Sequence, residues 1–136
     1  MGGRARELGG KYEEAEAMNR QELAICEKVL GHEHPHTLTS MNNLALVLDS
    51  QGKYEKAEAM HRQTLARYEK VLRHEHPHTL TSVYWLARLL ALRYSYHKGL
   101  ALYERASAGY QAVLGKDHPS TRACHQHCAD ALASHE

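Results

Sequence analysis

Gly52-Lys53-Tyr54-Glu55-Lys56-Ala57-Glu58-Ala59-Met60 decides the fold, because the chain has already written it once as Gly10-Lys11-Tyr12-Glu13-Glu14-Ala15-Glu16-Ala17-Met18. Outward from this stretch the copy continues. His34-Pro35-His36-Thr37 returns as His76-Pro77-His78-Thr79 and, eroded, as His118-Pro119-Ser120-Thr121. Residues 10–51 and 52–93 agree at 28 of 42 positions. A fixed period of this size marks a solenoid, in which each unit buries its apolar face only against its neighbours. Stacked repeats make extended surfaces, so binding is the function class to expect ahead of catalysis.

Within the repeat, Tyr54, Ala57, His61, Leu65, Tyr68 and Leu72 step by three or four, which places them on one face of a helix. Glu55, Glu58, Arg62 and Arg67 fall on the solvated faces. Leu38, Met41, Leu44, Ala45 and Leu48 form a second apolar stripe upstream. Gln51-Gly52-Lys53 joins the two, with Gly52 free to take the left-handed conformation that ends a helix. Gly31 stops the preceding helix and Pro35 suits the first turn of the next. Six helices are expected, at about 11–30, 36–50, 53–72, 78–93, 97–114 and 120–134, with Gly9-Gly10 as a lead-in to the first. The whole reads as a single repeat domain: a half repeat 10–35, full repeats 36–77 and 78–119, and a half repeat 120–136. Ala15, Met18, Leu23 and Val29 then lie in register with the buried set of 53–72 without a preceding partner, so that end of the stack is expected to be adhesive: either the chain is a piece of a longer array or its ends pair with another chain.

Composition narrows the partners. Seventeen basic against sixteen acidic residues leave a net charge of +1, which selects neither nucleic acid nor an anionic membrane. No segment approaches the roughly 18 to 20 apolar residues that span a bilayer. Met1-Gly2-Gly3-Arg4-Ala5-Arg6 has no apolar signal-peptide core and misses the usual myristoylation pattern. Cys26, Cys124 and Cys128 are too few and too irregular for a disulfide framework, so a cytoplasmic or other reducing setting is expected. Phe is absent, leaving eight Tyr with Leu and Ala to fill the core. The twelve His would raise the net charge steeply by about pH 5.5.

The string His34-Pro35-His36-Thr37-Leu38 through Met41-Asn42-Asn43-Leu44-Ala45, then Gln51-Gly52-Lys53-Tyr54-Glu55-Lys56-Ala57-Glu58 and Glu69-Lys70-Val71-Leu72, resembles the tetratricopeptide repeat. The resemblance is to the 42-residue form seen in kinesin light chains and in the sensor arrays of fungal and bacterial NOD-like receptors, and it covers essentially the whole chain. It implies an all-α, right-handed superhelical solenoid of antiparallel helix hairpins, whose first helices line a concave groove. In the family, paired asparagines there clamp the backbone of an extended peptide. That pair stands here as Asn42-Asn43; the matching positions are Tyr84-Trp85 and Gln126-His127. With Leu46 and Arg88 these make the expected peptide-binding or protein-binding set: Asn42, Asn43, Leu46, Tyr84, Trp85, Arg88, Gln126 and His127. Trp and Tyr supply contact area and Arg a forked donor suited to an acid. The competing reading makes Trp85 a core filler in a chain without Phe. The third unit departs further, with Tyr94 at the turn-glycine position and Gly99 at the packing alanine, so its stability is expected to be lowest.

Two segments have the composition of metal sites. His32-Glu33-His34-Pro35-His36 sits at an inter-repeat loop, where Glu33 and His34 more simply satisfy amides at a helix start. Cys124-His125-Gln126-His127-Cys128 places two thiols on one helical face, yet Cys128 falls in the Leu44 and Leu86 core slot. No metal and no cofactor is therefore assigned. The chain has no Gly-x-Ser-x-Gly, no phosphate-cradling loop and no nucleophile with a base, and no enzyme activity is expected. The expected function is a protein-interaction module acting as a scaffold or sensor segment. The alternative is a self-assembling repeat unit, a homo-oligomer pairing through its terminal helices, and a metal- or pH-responsive element built on the histidines comes third.

Overall fold

The computed structural model describes the backbone of residues 2–135 and the side chains of residues 10–134. Six helices follow one another: α1 (Gly2–Leu30), α2 (Pro35–Ser50), α3 (Tyr54–Val71), α4 (Pro77–Arg93), α5 (Tyr96–Leu114) and α6 (Pro119–His135). The limits of α2 to α6 fall within one residue of those the periodicity sets. The start of α1 does not. It runs from Gly2 straight through Gly9 and Gly10, so these glycines are interior and not a lead-in. Gly52, in the same Gly-Lys-Tyr-Glu string, has φ +82°, whereas Gly10 has no positive φ. The difference is the cap. At Gly52 the Lys53 amide donates to the Leu48 carbonyl and the Gly52 amide to Asp49, the paired bonds that close a helix end around a left-handed glycine.

The chain forms two compact units divided within α3, one up to Thr64 and one from Leu65. In the first, α2 packs on α1 and buries Leu38, Met41, Leu44, Ala45 and Leu48, all five of the expected stripe. Ala57 and His61 of α3 are buried as well. Glu16 of α1 is held between the helix and the turn after α2: Lys53 Nζ and Gln51 Nε2 both donate to it at 2.8 Å, and Arg20 Nε at 2.7 Å. These bonds, led by Lys53, pull its carboxyl down to about 2.

In the second unit Leu80, Val83, Tyr84, Leu86, Ala87 and Leu90 of α4 pack with Tyr103, Ala106 and Tyr110 of α5, and Cys124 and Ala131 of α6. Tyrosines take the volume that Phe would fill, and Tyr110 satisfies its hydroxyl 2.6 Å from Thr81 Oγ1. Gly99, at the packing-alanine position, is closely fitted. Gly99 is not a loosened alanine, because a Cβ there would lie 2.5 Å from the Ala87 carbonyl oxygen and 3.0 Å from Ala91 Cβ. Gly109 meets Leu80 in the same way, with Cδ2 2.5 Å from its Cβ position. The two glycines let α5 lie close on α4. Tyr94 closes its turn without a left-handed residue, at φ −119°, with Ser95 capping α5 by accepting from the Lys98 amide.

Candidate peptide-binding face

Each inter-repeat loop delivers the next helix by the same device. The Nδ1 of His34 accepts from the His36 amide, that of His76 from His78, and that of His118 from Ser120, each at 3.1 Å. The imidazole thus satisfies one of the amides that every helix start leaves open. His36 stacks on His34 and His78 on His76, with centroids 5.3 and 5.1 Å apart. Among the described residues no three His, Cys, Asp or Glu side chains converge as a metal site would require. Cys124 is buried, and burial pushes its thiol up to about 11; the thiol of Cys128 is also raised, mainly by burial. Both shifts disfavour the thiolate that binds metal.

The eight candidate residues fall in two groups. In the first unit Asn43 is exposed on α2, while Asn42 and Leu46 are half-buried. The Asn42 Oδ1 is buried with no hydrogen-bond partner. A buried amide oxygen left open is costly, and an incoming N–H would satisfy it.

In the second unit four of the remaining five come together. Tyr84 is buried and forms a floor on which His127 stacks face to face, with centroids 5.4 Å apart and 13° between planes. Trp85 lies tilted against Tyr84 at 5.3 Å and is half-buried, combining part of the core reading with an accessible ring. One turn on, the Arg88 guanidinium carbon stands 5.5 Å from the centre of the Trp85 ring. Gln126 is exposed and donates to Asp130 Oδ1 at 2.8 Å.

Arg88 and His127 face a cavity of about 250 Å³ that Leu92, Tyr103, Asp130, Ala131 and Ser134 complete. The His127 Nδ1 is buried there without a partner. Tyr103, whose hydroxyl is pushed up to about 12 chiefly by burial, is a member that sequence reasoning missed. It belongs to a second helix of the repeat, and nothing in its local pattern distinguishes it from core. Leu92 and Asp130 were findable, four residues beyond Arg88 and Gln126 on the same helical faces. The arrangement offers a forked cation, an aromatic wall and a carboxylate in one hollow, which suits recognition of a polar group on an extended chain.

A second surface is apolar. On α1, Met18 is 67% and Ile25 55% exposed, beside a groove of about 460 Å³ that Ala15 and Cys26 also line. No helix among the described residues is long and apolar enough to cross a membrane.

Comparison with known proteins matches one tetratricopeptide repeat profile to residues 3–70 and another to residues 79–120. Among solved structures, the nearly identical TPR-like repeats of a Podosopora anserina protein assigned as a kinesin light chain share 32% identity and a TM-score of 0.81. The match covers 95% of this chain and 61% of that one, and a single-substitution variant of the same protein gives the same values. The chain thus spans about three fifths of the length of these relatives. No curated protein matches it.

Proposed function

This chain belongs to the tetratricopeptide repeat family, whose members are generally protein–protein interaction modules, and on that premise we propose that it binds an extended peptide segment of a partner protein as part of a scaffold or sensor. The first helices of the repeats carry the contacts. Trp85 and Arg88 on α4 and His127 on α6 are the anchors, with Tyr84 as the floor beneath them. Asn42 and Asn43 on α2 engage peptide backbone, Leu46 adds apolar contact, and Gln126 marks the rim. The observation that supports this best is the hollow beside Arg88, whose guanidinium has an aromatic neighbour in Trp85 and shares the hollow with the Asp130 carboxylate. A forked donor beside an aromatic ring is suited to an acceptor brought by a ligand.

Trp85 is the only tryptophan, so its fluorescence reads the site directly. Peptides selected from a random display library are expected to shift that emission. Arg88→Ala should weaken the selected peptides roughly tenfold or more, as loss of an interface anchor does, with far-UV helicity unchanged. Peptides that bind Arg88→Ala as well as the parent would remove the proposal.

A second reading is self-association of copies through the terminal helices. It has its own support in the exposed apolar stripe of α1.

A further inference from the structure

The hollow beside Arg88 holds two opposite charges, and together they decide what it can take. Arg88 lines it from α4, half-buried, and Asp130 lines it from α6, exposed. One oxygen of that carboxylate already takes the N–H of a carboxamide, since Gln126 donates to Asp130 Oδ1 at 2.8 Å. The Tyr103 hydroxyl senses both charges. Burial is the main reason it is held at about 12; Arg88 opposes that shift, and Asp130 is among the neighbours that add to it. The His127 Nδ1 is buried with no partner, on a ring that stacks on Tyr84. A neutral imidazole nitrogen donates or accepts according to its tautomer, so His127 asks for a polar ligand without choosing its charge. That choice falls to Arg88 and Asp130.

We propose that the hollow takes the carboxamide side chain of an asparagine or glutamine carried by the bound peptide. The inference rests on the peptide-binding reading and names the residue class that the peptide brings. A carboxylate satisfies Arg88 but is set against Asp130, and an ammonium satisfies Asp130 but is set against Arg88. A carboxamide is neutral and carries both halves of the pairing. Its carbonyl accepts from the guanidinium, and its NH2 group donates to the carboxylate. The Gln126–Asp130 bond is the second half of that contact, made within the chain at an ordinary length. An apolar side chain would instead cover the half-buried guanidinium and the His127 nitrogen without satisfying either. Leu92 and Ala131 line the same hollow and offer apolar contact to the methylene stem, as few polar groups among apolar walls do in binding pockets. Arg88 read alone suits an acid; Asp130, brought beside it by folding, changes the choice.

The test uses peptides selected against the whole chain from a random display library, with Trp85 emission as the readout. Asparagine or glutamine is expected at one fixed position of the binders. Replacing it in the peptide by glutamate or by lysine should each weaken binding about tenfold or more, the order of cost of opposing like charges. In Asp130→Asn, with helicity checked by circular dichroism, the glutamate peptide should bind at least as tightly as the glutamine peptide. The lysine peptide should stay weak. Should Asp130→Asn lose helicity, the peptide series on the parent chain decides alone. If no peptide moves the Trp85 emission, the peptide-binding reading fails and this inference with it. Binders that take glutamate as tightly as glutamine, or that share no carboxamide position, overturn the inference and leave that reading standing. An unchanged preference for glutamine over glutamate in a folded Asp130→Asn overturns it as well.

Discussion

The Cβ that Gly99 lacks would stand 2.5 Å from the carbonyl oxygen of Ala87, nearer than any unstrained contact allows. Gly99→Ala therefore sets helix propensity against packing. Alanine gains about 1 kcal/mol in a helix interior, while forcing atoms into a filled contact costs typically 1 to 3 kcal/mol. Net destabilisation is expected in thermal or urea melts. Gly10→Ala is the control, since nothing lies within 4 Å of its Cβ position and its backbone is helical. That change should be neutral or stabilising by up to about 1 kcal/mol. A more stable Gly99→Ala variant would mean that α4 and α5 are not tightly seated.

His61 is 1% exposed with its Nδ1 unpartnered, and burial lowers it from 6.5 to about 4 against a smaller opposing effect of Asp49. The unfolded chain binds the proton first as pH falls. Stability should thus be constant above about pH 6.5 and decline between 6.5 and 4, by at most about 3 kcal/mol. Tyr103 occupies the same repeat position in α5, so a neutral ring is tolerated there. In His61→Tyr the decline over that window should flatten, measured as urea midpoint against pH; an unchanged slope would reassign it to the surface histidines.

Glu16 acts in a different window. Its folded value of about 2 lies below the ordinary 4.5, so its contribution is present above 4.5 and fades as pH falls toward 2. Glu16→Gln should remove the salt-sensitive part of stability at neutral pH, on the order of 1 kcal/mol or less for a largely solvent-facing ion pair. The decline from pH 6.5 to about 4.5 should be the same as in the parent. Equal melting temperatures for the two proteins in low and high salt would show that the Lys53 and Gln51 bonds contribute nothing net.

The histidine caps give a prediction about kind and not only size. His76→Ala leaves the His78 amide without its acceptor and should cost about 0.5 to 2 kcal/mol. His76→Asp restores an acceptor at the helix start and should recover most of that loss. Failure of Asp to rescue would place the importance of His76 in its stacking on His78.

Much of this was legible before any coordinates. The 42-residue period, the three-and-four spacing of Leu38 to Leu48, and Gly52 after the stripe are local facts about the chain. A helix hairpin expresses them locally, which is why five helices fall within one residue of expectation. That Trp85 and His127 hold equivalent positions of successive repeats is also a fact of the sequence.

The rest depended on which atoms meet. Gly10 and Gly52 carry the same tetrapeptide, yet only Gly52 turns, with the Asp49 carbonyl receiving its own amide and the Leu48 carbonyl that of Lys53. Gly99 looked like a defect until Ala87 was seen to occupy the space. His61, Glu16 and the Tyr84–His127 stack owe their properties to partners from other helices or to burial. The sequence by itself determined the helices, their order and the repeat that stacks them, since backbone hydrogen bonds and apolar periodicity act over a few residues. Only the tertiary structure decided the close approaches, the shifted protons and the open hollow beside Arg88, since desolvation and steric fit arise between residues far apart in the chain.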